Sequence, residues 1–315
     1  MAPLAVDSVM PVKSNSTMRL FSPAKVNLHL TVTGKRDDGF HNLVSLVAPI
    51  SMGDWVTVTL TDRENEIGFE CTDPEVPSGG SNLVVQAARS YLAAKNSIQG
   101  LEIRLEKHIP MEAGLGGGSS NAATTLLILN QLFEKSLSFA ELADIAASLG
   151  SDCPLFLHES PVLMRGRGEE IEVLPPALID DLQGRLLAVF KPNIGISTAW
   201  AYNRLAANRE FYANQDQVEA TFLKWQMGSA PLEDILFNSF EAPVFEKFVA
   251  FPVLFDLIRS KLGLSCLMSG SGSSCFALLN ESSQAEGLLT IVKEAFGGDV
   301  FFEICCIGLK KEFIG

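Results

Sequence analysis

The sequence lacks the features that mark membrane and secreted proteins. No run of 18 or more apolar residues occurs among its 315 residues, which argues against a transmembrane helix. Residues 1–17 carry one lysine and no sustained apolar stretch, so they do not resemble a secretory signal. We therefore expect a loose extension over residues 1–17, no membrane partner, and a cytoplasm-like compartment.

Cysteine and histidine occur without the spacing of a metal site. None of the six cysteines forms a C-x-x-C pair, and we expect reduced thiols in the core at Cys71, Cys153, Cys266, Cys275, Cys305 and Cys306. The four histidines, at positions 29, 41, 108 and 158, show no H-E-x-x-H spacing. The sequence therefore predicts no structural transition-metal site.

Basic residues are the minority among the charged ones. There are 24 Lys and Arg against 37 Asp and Glu, which gives a formal net charge of −13. Such a chain repels nucleic acid and anionic membranes, so any anionic ligand must be held by local donors. The length favours two domains, which we expect over residues 18–175 and 176–315.

One strand of the first half has a polar face. Residues 19–33 alternate apolar with polar side chains, which predicts a half-buried strand. Lys25 and Asn27 share the polar face, so this strand can present functional groups to a ligand.

Two helices of the first half have clear boundaries. Apolar side chains at helical spacing predict a helix over residues 83–94, with Asn82 or the preceding serine as its cap. Another helix is expected to begin at Ser138, where Glu141 completes a capping box, and to end at Gly150.

The second half predicts a sheet covered by helices. A helical segment over residues 243–262 is expected to break at Pro252. Strand, strand, helix and strand follow over residues 264–268, 275–279, 282–296 and 300–309. This order indicates an antiparallel sheet with helices on one face, an α+β arrangement.

The strongest local signal is the glycine-rich segment at residues 114–120 (GLGGGSS), between a predicted strand and a predicted helix. Glycines let the backbone fold closely around a ligand, and the free amides of a helix start bind phosphate. Ser119 and Ser120 add hydroxyl groups for phosphate or a metal ion. The segment is not a Walker A loop, because no Gly-Lys-Ser or Gly-Lys-Thr occurs.

Lys25 and Asp152 are the candidates for chemistry. The loop has no lysine of its own, so positive charge must come from elsewhere, and Asp152 follows a helix end directly before Pro154. Together they suggest phosphoryl transfer, in which Asp152 orients a substrate hydroxyl and Lys25 stabilises developing charge. A surface lysine and a turn aspartate are the alternative. A second cluster at residues 269–274 (SGSGSS) is either a ligand contact or a turn.

Three segments at this spacing resemble the motifs of the GHMP kinase superfamily: residues 23–28, 110–123 and 269–276. The resemblance covers roughly residues 19–310. It implies a two-lobed α+β fold, with a mixed α/β N-terminal lobe and a C-terminal antiparallel sheet covered by helices. ATP and a small-molecule substrate would meet in the cleft between the lobes.

Within the superfamily, residues 34–41 (GKRDDGFH) and 149–154 (LGSDCP) resemble the diphosphocytidyl-methylerythritol kinases. That resemblance implies transfer of the ATP γ-phosphoryl group to the 2-hydroxyl of a cytidine-diphosphate-linked methylerythritol, in non-mevalonate isoprenoid synthesis. Mg²⁺ would arrive with ATP, and Ser120 is a candidate ligand from the protein.

The resemblance also implies roles for individual residues. Lys25 and Asp152 would be the catalytic pair. Substrate contacts would come from Asn27, Phe40, His41, Asp152, Thr198, Tyr202, Gly270, Ser271 and Gly272. Nucleotide contacts would come from Asn82, Lys107, Pro110, Gly114, Leu115, Gly116, Gly117, Gly118, Ser119 and Ser120. Phe40 stands where the family usually has tyrosine, so it keeps a stacking face and loses a hydroxyl.

Two alternatives stay open at this point. One is another GHMP kinase, of the homoserine or mevalonate type, which would need no pair of aromatic rings for a base. The other is a nucleotide-binding protein without catalytic activity.

Overall fold

The computed structural model describes residues 15–309, which fold into two sheets with helices packed against them. The first sheet contains β1 (Thr17–Lys35), β2 (His41–Thr61), β3 (Ile67–Cys71), β4 (Gly100–Glu106), β5 (Val162–Arg165), β6 (Glu170–Val173) and β8 (Phe237–Asn238). Its order is β3-β4-β2-β1-β8, and the hairpin of β5 and β6 pairs with the start of β2. β1 and β2 run antiparallel as the long central pair.

β1 is buried on both faces, so the prediction of a half-buried strand was wrong. Lys25, Asn27 and His29 are each at most 5% exposed, because the loop at residues 114–120 and the segment before β8 cover the polar face. The covered polar atoms are paired, as burial requires. His29, for example, donates from Nδ1 to the Ile235 carbonyl at 2.5 Å and accepts from the Thr31 hydroxyl at 2.6 Å.

Three helices cover the first sheet: α1 (Leu83–Ala94), α2 (Gly117–Leu132) and α3 (Phe139–Leu149). Asn82 caps α1 by accepting a hydrogen bond from the Val84 amide at 2.8 Å. Ser138 and Glu141 form the predicted capping box at the start of α3, and Gly150 is its C-cap. The sequence therefore predicted these boundaries correctly.

The second sheet contains β7 (Leu186–Lys191), β9 (Cys266–Met268), β10 (Cys275–Leu278) and β11 (Phe301–Cys306), all antiparallel, in the order β11-β7-β10-β9. One face, including Ala188 and Phe190, packs against helices of the second lobe. The other face, including Leu187 and Val189, shares a core with Ile50 of β2. The predicted α+β arrangement is confirmed, and the two lobes share apolar packing.

The helices of the second lobe are α4 (Pro176–Leu182), α5 (Thr198–Ala207), α6 (Gln215–Gln226), α7 (Glu241–Lys247), α8 (Ala250–Leu262) and α9 (Gln284–Phe296). The break predicted at Pro252 was wrong. It falls between α7 and α8, and Pro252 lies in the first turn of α8, where a missing amide costs no helical hydrogen bond. The hairpin of β5 and β6 and helix α6 had no sequence prediction.

Most of the predicted N-terminal extension, residues 1–14, lies outside the described part of the chain. Ser16 accepts a hydrogen bond from the Leu60 amide at 2.9 Å, and Thr17 begins β1. The domain boundary near residue 175 stays a prediction. No helix within residues 15–309 is both long enough and apolar enough to span a bilayer.

Candidate active site

The loop at residues 114–120 includes the first turn of α2, and its backbone requires glycine at Gly114 and Gly116, where φ is positive. Gly116 is the N-cap of α2 with φ of 72°, and no side chain caps the helix start. A Cβ at Gly116 would lie 2.7 Å from the Phe156 ring and 3.1 Å from Cγ of Lys25. The first amides of α2 are therefore presented by a tightly enclosed backbone, as a phosphate site requires.

Two cavities meet at this loop. The large cavity measures about 590 Å³ and the small cavity about 370 Å³. Gly114, Gly116 and Ser119 line both of them. A phosphate group bound at the loop could therefore be reached by ligands in both cavities.

The small cavity collects the residues predicted for the nucleotide. Its lining includes Asn82, Lys107, Pro110, Gly114, Leu115, Gly116, Gly117, Gly118 and Ser119. The Lys107 ammonium lies 3.2 Å from the position of a Cβ on Gly117, so positive charge sits beside the start of α2. Lys107 is thus a cation beside the loop, although its charge is offset by an ion pair with Asp54.

Asp54 of β2 holds Lys107 in place, and sequence reasoning missed it. Its side chain is fully buried and forms an ion pair with Lys107. It also accepts from the amides of His108 at 2.6 Å and Ile109 at 2.8 Å, and from Asn121 Nδ2 at 2.8 Å. The only signal in the sequence was a carboxylate followed by alternating apolar and polar residues, which is also typical of an exposed residue.

Ser120 lies away from both cavities. Its side chain is buried, and its hydroxyl is 2.8 Å from the Ser22 hydroxyl of β1. Ser119, one residue earlier, lines both cavities, because successive residues of a helix point about 100° apart. The expectation that Ser120 contacts nucleotide or metal therefore disagrees with this geometry, and Ser119 has the accessible hydroxyl.

Lys25 and Asp152 face each other in the large cavity. Lys25 Nζ lies 4.0 Å from Asp152 Oδ2 and donates to Asn27 Oδ1 at 2.6 Å. Burial lowers the pKa of Lys25 below its ordinary value, and the Asp152 carboxylate opposes this shift. Asp152 is set in the turn between the end of α3 and a 3₁₀ helix at Pro154–Leu157.

The rings of Phe40, His41, Tyr202 and Phe240 line the large cavity beside this pair. The His41 and Tyr202 rings have centroids 5.1 Å apart, and the Phe40 side chain is 49% exposed. His41 Nε2 is buried and has no hydrogen-bond partner. Burial, and to a smaller extent Lys35, lowers the pKa of His41 below its ordinary value, which favours the neutral form of the ring.

Tyr202 connects the rings to the charged pair. Burial, aided by the negative charge of Asp152, raises the pKa of Tyr202 to about 12. The aromatic residues and Asp152 therefore belong to one continuous site, although they come from separate parts of the sequence.

The segment at residues 269–274 closes the second-lobe side of the large cavity. The Ser271 hydroxyl lies 2.8 Å from the Thr198 hydroxyl, and both residues line the cavity together with Gly270. Gly272 does not line the cavity. It packs closely against Met268, because a Cβ at Gly272 would lie 2.6 Å from the Met268 sulfur.

Asn238 of β8 was a further omission of the sequence reasoning. Its Nδ2 donates to the carbonyls of Met268 at 2.6 Å and Gly270 at 2.8 Å, while its backbone pairs with Leu30 of β1. It thereby joins residues 269–274 to the strand that carries Lys25. No pattern in the sequence distinguishes this asparagine from a turn residue.

A two-lobed fold, a glycine loop opening a helix, and a buried lysine facing an aspartate together define a small-molecule kinase of the GHMP class. Two family models agree: GHMP kinases N terminal domain matches residues 82–160, and GHMP kinases C terminal matches residues 229–298. A homoserine kinase from Cytophaga hutchinsonii shares the fold at 20% identity, with a TM-score of 0.73 over 98% of each chain.

Similarity in sequence is more specific. A 4-diphosphocytidyl-2-C-methyl-D-erythritol kinase of Methylacidiphilum infernorum is 38% identical over 86% of this chain and 89% of its own length. The chloroplastic enzyme of that name from Arabidopsis thaliana is 35% identical over 87% of this chain and 70% of its own.

A crystal structure of 4-(cytidine 5′-diphospho)-2C-methyl-D-erythritol kinase is also similar, with 34% identity and a TM-score of 0.73. The match covers 92% of this chain and 100% of the crystallised chain. This chain belongs to the 4-diphosphocytidyl-2-C-methyl-D-erythritol kinase family.

Proposed function

We propose that this protein transfers the γ-phosphoryl group of ATP to the 2-hydroxyl of 4-diphosphocytidyl-2-C-methyl-D-erythritol. The observation that carries the proposal is one cavity in which the Lys25 and Asp152 pair is joined to Phe40, His41 and Tyr202. A charged pair beside a glycine loop suits phosphoryl transfer in general. The rings beside it suit an acceptor that contains a base.

His41, Phe40 and Tyr202 would recognise the cytosine. The unpaired Nε2 of His41 is a hydrogen-bonding atom that burial deprives of water, so binding a polar base edge removes an unfavourable state. The exposed face of Phe40 offers stacking without a hydroxyl. Thr198, Ser271 and Gly270 would contact the same substrate from the second lobe.

Lys25 and Asp152 would perform the transfer. Asp152 accepts the proton of the 2-hydroxyl. The hydroxyl oxygen forms a bond to the γ-phosphorus while the bond from that phosphorus to the oxygen that bridges it to the β-phosphorus breaks, and ADP leaves. The Lys25 ammonium, 4.0 Å from Asp152, stabilises the negative charge that spreads over the transferred group. Asn27 accepts a hydrogen bond from Lys25, which fixes the ammonium at this position.

The small cavity would hold ATP. The uncapped start of α2, with Lys107 beside it, fits the phosphates, and Asn82 fits the region of the adenine. Mg²⁺ bound to the phosphates would neutralise part of their charge. The Ser119 hydroxyl and the Asp152 carboxylate are oxygen donors of the kind this ion prefers.

Free thiols at all six cysteines support a cytoplasm-like compartment.

The test is a panel of acceptors. Purified protein with Mg-ATP would receive 4-diphosphocytidyl-2-C-methyl-D-erythritol, homoserine or mevalonate, and ADP release would be followed. We expect turnover with the cytidylyl acceptor alone. Turnover with homoserine or mevalonate instead would keep the GHMP class and overturn the substrate. ATP binding without turnover on any acceptor would favour a protein that has lost catalysis.

A further inference from the structure

The large cavity contains a cation that the chemistry above does not use. The charged side chains that line it are Lys25, Asp152 and Arg167. Lys25 and Asp152 carry opposite charges 4.0 Å apart and offset each other. Arg167 is the remaining charge of the lining. The anions near it, Glu169 at 3.8 Å and Asp38, lie outside the lining and are half-exposed, so their pairing with Arg167 is of small expected strength.

The turn between β5 and β6 fixes the position of Arg167. It is flanked by Gly166 with φ of 67° and Gly168 with φ of 114°, a backbone that other residues rarely adopt. The Leu43 amide donates to the Gly166 carbonyl at 2.7 Å, which ties the turn to the start of β2. Arg167 is therefore held beside Phe40, which precedes that strand.

Phe40 supports the guanidinium directly. Cζ of Arg167 lies 5.1 Å from the centroid of the Phe40 ring. A guanidinium over an aromatic face keeps its N–H groups directed outward in its own plane, where they can bind a further ligand. The phenyl ring thus restricts the cation without consuming its donors.

We propose that Arg167 binds the diphosphate of the acceptor and is a specificity-determining residue of the large cavity; this inference rests on the proposed function. Two linked phosphates are unfavourable in a chain of net charge −13 unless a local cation meets them. Guanidinium groups bind phosphate oxygens through paired, charge-assisted hydrogen bonds. Arg167 lies beside Phe40, the base-binding ring, whereas Lys25 lies beside Asp152 at the reacting end. Homoserine and mevalonate carry no diphosphate, so Arg167 would favour the cytidylyl acceptor over both.

The experiment measures the binding of two probes, CDP and cytidine, to the full chain by titration calorimetry. Wild type is compared with Arg167→Leu and with Arg36→Leu. Arg36 is the matched control, because it also pairs with Glu169, at 3.9 Å, but does not line the large cavity. We expect Arg167→Leu to raise the Kd of CDP by about tenfold or more and that of cytidine less than threefold. Arg36→Leu should change both values less than threefold.

Several outcomes would overturn the inference. An unchanged CDP affinity in Arg167→Leu would leave the arginine as a surface ion pair. Equal weakening of CDP and cytidine would mean that it acts only through Phe40. In both cases wild-type binding of the probes would leave the proposed function standing. A wild type that binds neither probe would instead remove the proposed function, and this inference with it.

Discussion

The large and small cavities meet at one loop, yet they are built from different kinds of group. The large cavity is lined by side chains from distant elements, such as Lys25 of β1 and Tyr202 of α5. The small cavity is lined in large part by the consecutive residues 110–119, which include the loop glycines, and its lysine, Lys107, forms an ion pair with the buried Asp54. Ligand binding in the large cavity therefore depends on which side chains line it, and ligand binding in the small cavity depends on the conformation of the backbone.

This difference bears on how such enzymes acquire new acceptors. A side chain that lines a cavity can be replaced without changing the fold, whereas a loop that needs positive φ angles cannot change without disturbing α2. The fold is shared with a homoserine kinase at only 20% identity. We therefore expect substitutions in the large cavity to alter acceptor use selectively, and substitutions at the positive-φ glycines of the loop, Gly114 and Gly116, to impair the use of both substrates.

The largest effect should come from Asp152→Asn. Loss of the proton acceptor should lower kcat by about 10²- to 10⁴-fold, with little change in the KM of either substrate, because the amide keeps the size of the carboxylate. Steady-state kinetics with both substrates varied would measure this. Asp144→Asn on the exposed face of α3 is the control and should behave as wild type. A kcat within threefold of wild type would remove Asp152 from the chemistry.

Next in size is the backbone requirement of the loop. Gly116→Ala should lower kcat/KM for both substrates by roughly 100-fold and reduce Tm, because φ is 72° and the Cβ would overlap Phe156. Gly118→Ala is the matched change within the loop: its Cβ would meet only Leu83, at 3.7 Å. We expect nearly wild-type kinetics and Tm there. Similar defects in both variants would show that any added methyl group is harmful, against the argument from φ.

A smaller, one-sided effect should follow from Phe40→Ala. Loss of a stacking face should raise the KM of the cytidylyl acceptor about tenfold and leave the KM of ATP unchanged. Phe40→Tyr should retain wild-type affinity, since it keeps the ring.

Asn82→Ala should affect ATP and not the acceptor. It should raise the KM of ATP, leave the KM of the cytidylyl acceptor unchanged, and remove about 1 kcal/mol of helix capping. If either variant changes both KM values equally, the two cavities are not independent.

The smallest effect concerns pH. Glu241, under the second-lobe wall of the large cavity, accepts from the Met268 amide at 2.7 Å, and burial raises its pKa to about 7. The folded state then binds more protons than the unfolded state between the ordinary value of 4.5 and about 7, so stability is lost as pH rises through that window.

Glu241→Gln keeps the acceptor oxygen and removes the titration. The Tm of the variant relative to wild type should therefore be higher by a few degrees at pH 8 than at pH 5. Thermal melts at both values measure the difference. An equal Tm difference at pH 5 and pH 8 would mean that the carboxyl group does not titrate in this window.

The sequence predicted the site through residues whose surroundings are local. The loop glycines, the cap at Asn82 and the capping box at Ser138 each depend on a few neighbouring residues, and patterns of that length are readable. Lys25 and Asp152 could be given a joint role from their residue types, but their contact could not be predicted from their spacing, because it depends on how β1 and the end of α3 meet in space.

The residues that escaped prediction act across longer distances. Asp54 binds groups on the segment after β4 and on α2, and Asn238 binds two carbonyls of residues 269–274. A polar residue of this kind looks like an exposed one until the fold buries it. The same reason explains β1, whose alternation suggested a solvent-facing side that the loop at residues 114–120 and the segment before β8 in fact cover.

The apolar contact between the two lobes has a consequence for how ligands enter and leave. Ile50 of the first sheet and Leu187 and Val189 of the second belong to one buried cluster, and each is fully inaccessible to water. Swinging the lobes apart would hydrate this cluster, at roughly 1.5 to 3 kcal/mol for each large aliphatic side chain exposed. Ligand exchange through rearrangement of the turns and side chains around the cavities avoids that cost. The catalytic cycle is therefore expected to run within an almost rigid frame.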